Sequence, residues 1–103
     1  MERNDPNTKM REKIYKELKV NFQNLEQQIK ELENLNAEYA IKCDLYGQCL
    51  AEHLLSSGSD VIKKHLEETH AKIQENEEAI KQLKLERDAY RIEICLLYTS
   101  DAA

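Results

Sequence analysis

The chain has 103 residues, 34% of them charged, a formal net charge of −5, one Pro, two Gly, one Phe and no Trp. A chain this short is one domain at most, or a piece of one; so few turn formers argue against a β-rich domain, and so few large aromatics against a thick globular core. The acidic balance without any Lys/Arg run argues against nucleic acid, and no apolar stretch reaches membrane-spanning length.

Residues 1–5 read as a disordered N-terminus without signal-peptide character. Asp5-Pro6 then opens a helix, an Asp that can accept orphan amides followed by Pro at the first helical position. Over 6–55 apolar residues alternate by three and four, the pattern of a heptad seam. Tyr15, Phe22, Ile29, Asn36, Cys43 and Leu50 take position a; Leu18, Leu25, Leu32, Tyr39, Tyr46 and His53 take d. Gly47 lies off the seam and should cost about 1 kcal/mol relative to Ala.

Residues 56–59 form the loop-like cluster, with Ser59 as expected N-cap and Asp60 in the first turn of a second helix over 60–94. There Leu66, Ile73, Ile80, Arg87 and Ile94 take a, and Ile62, Thr69, Asn76, Leu83 and Tyr90 take d. Glu-to-Lys pairs four apart (Glu12–Lys16, Glu26–Lys30, Glu38–Lys42, Glu68–Lys72, Glu77–Lys81) should each add a few tenths of a kcal/mol.

Two helices joined by a short loop fold back on each other, so the expected fold is all-α, an antiparallel coiled-coil hairpin. A register in which paired residue numbers sum to 112 matches Leu50 with Ile62, Tyr46 with Leu66, Tyr39 with Ile73 and Leu32 with Ile80. It also matches Ile29 with Leu83, Phe22 with Tyr90 and Cys43 with Thr69. Asn36 meets Asn76, and two amides within a seam can fix register at some cost in stability. On this reading Asn36→Leu stabilises the helices and loosens register. Glu26 and Glu33 flank Lys84 and Arg91, and Arg87 opposite Leu25 must run its stem along the seam with the guanidinium in water.

The final nine residues, CLLYTSDAA, differ in character from all that precedes them. Cys95–Ala103 resemble the translation of a transposase adaptor used in sequencing libraries, matched as a whole string without a gap. The resemblance implies a non-native tail, with the native chain running on past Ile94. Cys43 and Cys49 would then be the native cysteines.

Chemistry-bearing constellations are weak. Cys49 and His53 are four apart, and the register brings His65 near, but zinc wants four ligands or three plus water, and no Cys-x-x-Cys spacing is present. HLEETH (His65–His70) has its histidines five apart, about 140° around a helix, so they share no face. No phosphate loop or nucleophile elbow can be assembled, and two helices offer no cleft. The expectation is no enzyme, no metal, no cofactor and no small-molecule substrate.

Apolar residues off the seam form short stripes: Leu85, Ala89 and Ile92; Ile41 and Leu45; with Ile14 and Leu35 widening one flank. Such stripes recruit further helices. The reading is a cytoplasmic assembly or scaffolding module, a fragment of a longer protein, whose partner is a protein helix or a second copy. Three alternatives stand beside it: a parallel homodimer of one long helix, a holdase chaperone similar to prefoldin in architecture alone, and the arm of an enzyme whose catalytic domain lies beyond Ile94.

Overall fold

The computed structural model describes residues 6–53 and 56–102, with side chains through residue 97. The expected disordered segment 1–5 and part of the expected first helix, residues 54 and 55, lie outside the described residues. Two helices, α1 (Pro6–Glu52) and α2 (Ser59–Ala102), pack against each other in an all-α hairpin. No described residue lies in a strand. Neither helix is long and apolar enough to cross a membrane among the described residues.

Why α1 stops, and how α2 starts, can be followed bond by bond. His53 N–H donates to Cys49 O at 2.9 Å, the last bond of α1. Ser56 N–H then donates to His53 O at 3.0 Å and Ser59 N–H to Ser56 O at 3.3 Å, two tight turns in succession. Gly58 has φ 96°, the left-handed region in which a Cβ is strained. Its carbonyl accepts the first α2 bond, from Ile62 N–H at 3.1 Å, so Gly58 occupies the N-cap position. Ser59, the expected cap, is instead the first helical residue, because the chain reverses at the glycine before it.

The two glycines should therefore respond in opposite directions to alanine. Gly58→Ala places a side chain on left-handed backbone and should cost about 1–2 kcal/mol. Gly47 sits mid-helix with nothing within 4 Å of an added Cβ, so Gly47→Ala should add about 0.5–1 kcal/mol. Urea midpoints of the two variants, measured against the parent, check both signs.

Burial follows the heptad. In α1 the shielded positions step by three and four from Tyr15 to Leu50, and in α2 from Ile62 to Leu97. His53 breaks the expectation: it lies past the last α1 residue and is exposed, so the seam ends at Leu50. The expected end of α2 at Ile94 is also overturned. Cys95-Leu96-Leu97 contains no breaker, and Leu97 falls three residues after Ile94, on the next d position, where it is half-buried. Its carbonyl accepts from Arg11 Nη1 at 3.4 Å. The change in character at Cys95 is thus one of composition; the helix runs on.

The hairpin divides into two compact units, each built from a stretch of both helices: Met1–Ile29 with Gln82–Ala103, and Lys30–Lys81. The first holds the driest part of the seam. Leu25 and Ile29 are 7% and 4% exposed, while Leu18, Phe22, Leu83 and Tyr90 are half-buried. Arg87, matched to Leu25 by the register, does not send its guanidinium free into water. Its Nε and Nη2 donate to Asp88 Oδ1 at 3.2 and 3.1 Å, folding the head back along its own helix. Arg91, expected on a flank with glutamates, lies over the Phe22 ring at 5.7 Å and pairs with Asp88 at 3.5 Å.

The second unit is wetter. Leu32, Tyr39, Tyr46, Leu50, Ile62, Leu66, Ile73 and Ile80 are all half-buried. Among its described residues Thr69 alone is buried, at 8% exposure, and its hydroxyl donates to His65 O at 2.7 Å and so is satisfied within the helix. Asn76 Nδ2 donates to Asn36 Oδ1 at 2.9 Å, and Asn36 Nδ2 donates on to Ile73 O at 3.3 Å. The matched asparagines are therefore bonded to each other, as the register required. Among the helix-surface pairs, Glu38–Lys42 closes at 3.7 Å between exposed groups, a contact of little weight in water.

Candidate interaction surfaces

The seam residues face each other, so any outward function must use what they leave uncovered. On α2 the stripe expected from sequence stands clear: Leu85 is 59% and Ile92 60% exposed, with Ala89 exposed between them. On α1, Ile41 is 70% and Leu45 54% exposed. Leu35 is half-buried and does widen the seam, whereas Ile14 is exposed and adds little to it.

The unit that contains both chain ends has a shallow apolar slot of about 200 Å³, lined by Tyr15, Phe22, Ile94 and Cys95 with Lys19 and Arg91 at its edge. Lys19 Nζ sits 5.6 Å from the centre of the Tyr15 ring and donates to its hydroxyl at 3.4 Å. Arg91 lies over Phe22, as described. Arg91 rests over the Phe22 ring, a contact worth about 0.5–1 kcal/mol at an exposed site, whereas Lys19 sits at the hydroxyl end of Tyr15. The slot was missed in the sequence because its walls come from both helices. A signal was available in retrospect: seam aromatics at Tyr15 and Phe22, with Lys19 four residues after the first.

The unit at the turn has a polar groove of about 150 Å³ lined by Tyr39, Lys42, Tyr46, His65, Glu68, Thr69 and Lys72. Lys42 and Lys72 each lie 5.7 Å from the Tyr39 ring centre, one from each helix. Tyr46 and His65 stack at a tilt, with centroids 5.7 Å apart and planes at 51°.

His65 is turned to Tyr46, His53 is exposed beyond the end of α1, and Cys49 is half-buried on the helix. No group of three or more His, Cys, Asp or Glu side chains that could hold a metal ion occurs among the described residues. All three cysteines are free thiols, Cys43 and Cys49 half-buried and Cys95 exposed. These surfaces present aliphatic ridges beside cationic side chains. No protein-family model, curated protein or solved structure matches the chain.

Proposed function

We propose that the hairpin is an assembly module that recognises another protein by helix-on-helix packing, in a reducing, cytoplasmic setting. The observation that carries the reading is incomplete burial. Among the described residues the buried apolar side chains are Leu25 and Ile29, while Ile41, Leu45, Leu85 and Ile92 are 54–70% exposed. These four sit in ridges at helical spacing, the form in which an amphipathic helix presents anchors to a groove. A ridge of this kind gains about 25 cal/mol per Å² of apolar surface removed from water.

Assembly couples to stability by mass action, which supplies the test. Sedimentation should give a mass above the 12.1 kDa of the single chain, rising with concentration, and the thermal midpoint should rise with it. A variant with Ile41, Leu45, Leu85 and Ile92 all changed to Glu should stay monomeric with a fixed midpoint. A parent chain that remains a 12.1 kDa monomer at every concentration, with a fixed midpoint, would count against the reading.

A further inference from the structure

We propose that a two-residue break in heptad phase at the turn holds the chain as a hairpin and bars the domain-swapped dimer that the same seam would otherwise form. A swap would exchange seam contacts and leave the outer ridges free, so the proposal goes beyond the assembly reading and does not depend on it.

An antiparallel hairpin can exchange its arms without losing seam contacts. If the turn straightened into helix, α1 of one copy could pair with α2 of another in the same register, Leu50 against Ile62 and Asn36 against Asn76. Two such long helices, related by a two-fold axis, would satisfy both seams at once. Exchange of identical elements is a low-cost route to a dimer, so a feature of the turn must decide between the two states.

The seam positions on either side of the turn carry that decision. In α1 they end with Cys43, Tyr46 and Leu50; in α2 they begin with Ser59, Ile62 and Leu66, all half-buried. Leu50 and Ser59 both fall on position a, and they are nine residues apart where a continuous heptad needs seven. Two extra residues rotate a helix by about 200°. A helix run straight through the turn would therefore carry its α1 seam on one face and its α2 seam on nearly the opposite one.

Continued across the turn, the α1 frame reaches Lys64, Glu67, Gln74, Glu78 and Lys81, all exposed. A second copy aligned on α1 would meet those polar and charged groups instead of Ile62, Leu66 and Ile73, and burying unpaired charge is costly. The swapped dimer cannot close. The hairpin avoids the conflict because the chain leaves the helix between the two frames, through Gly58 at φ 96° and the bonds from Ser56 N–H to His53 O and Ser59 N–H to Ser56 O.

The test separates phase from loop length. Three full chains carry Ser56→Ala, Ser57→Ala, Gly58→Ala and Ser59→Ala: one of parent length, one with two of these alanines deleted, one with five more inserted. Losing two residues or gaining five makes the frames continuous, while loop length changes in opposite directions. Spin labels at parent positions 34 and 78, with Cys43, Cys49 and Cys95 changed to Ser, report the intrachain distance after refolding with excess unlabelled protein. The parent-length chain should keep the roughly 20–30 Å of a hairpin. Both in-phase chains should move to roughly 60–75 Å, the separation along one helix at 1.5 Å per residue. If only the deletion or only the insertion opens the chain, loop length decides and the proposal is overturned. It is overturned equally if all three chains stay short or all three open.

Discussion

Ile29→Ala should lower the stability of the hairpin by about 2–4 kcal/mol, the largest loss expected from any single truncation of a side chain. Ile29 is 4% exposed and Leu25, one turn before it, 7%; no other apolar side chain is as dry among the described residues. A large-to-small change there removes transfer free energy and leaves a cavity that two long helices cannot readily collapse. Total stabilities of small domains are about 5–15 kcal/mol, so a loss of this size is a substantial fraction. Ile92→Ala makes the control. Its side chain is 60% exposed, and the change should stay within about 0.5 kcal/mol at concentrations where the chain is monomeric. Urea unfolding of the three proteins measures the difference. Equal losses at the two positions would mean that the seam is not where the packing lies.

The second large effect concerns Asn36 and Asn76, and there the structure changes the expectation. Sequence reasoning has Asn36→Leu stabilise the helices. In the structure Asn36 holds two bonds, accepting from Asn76 and donating to Ile73 O. Leucine at 36 would strip Asn76 Nδ2 of its acceptor in a half-buried layer, a loss of about 1–3 kcal/mol. Replacing both removes the orphan. The Asn36→Leu/Asn76→Leu double variant should therefore be more stable than the parent, and far more stable than either single change would predict by addition. It should also lose uniqueness: with an unbroken aliphatic seam, alternative registers and helix stoichiometries become comparable in energy. Unfolding midpoints of the four chains in the cycle give the coupling. Additive effects would show that the two amides act independently.

Much of the fold was legible because an antiparallel seam obeys arithmetic. Period three-four placed Leu25, Ile29, Leu32, Ile80 and Leu83 inside, and matching the two sets brought Asn36 to Asn76. The failures are local and physical. Ser59 looked like the better cap by residue type, but left-handed backbone at Gly58 decides where α2 begins. His53 satisfied the heptad count, yet the helix ends before it. The tail was set apart by its resemblance to an adaptor string, and its heptad positions were not counted, so Leu97 as the next d residue was missed. Arg87 was placed in the seam with its head in water and Arg91 on a flank facing glutamates; Asp88, a neighbour on their own helix, engages both. The candidate surfaces were half legible: the ridge Leu85–Ile92 follows from spacing on one helix, whereas the slot at Lys19 and Arg91 takes its walls from both helices and leaves only a partial linear signature.

The central claim is that one chain folds back on itself in the Asn36–Asn76 register. The most direct measurement is a dipolar distance between spin labels at positions 34 and 78, in a background with Cys43, Cys49 and Cys95 changed to Ser, diluted with unlabelled protein so that only intrachain pairs report. Both positions are exposed and lie one to each helix. In the hairpin, helix axes about 8–10 Å apart hold outward-facing labels roughly 20–30 Å from each other. In a parallel dimer of extended helices the same labels would sit roughly 65 Å apart, at 1.5 Å per residue. A single narrow distribution near the short distance is the expected result. A distribution centred on the long one would contradict the hairpin and everything built on it.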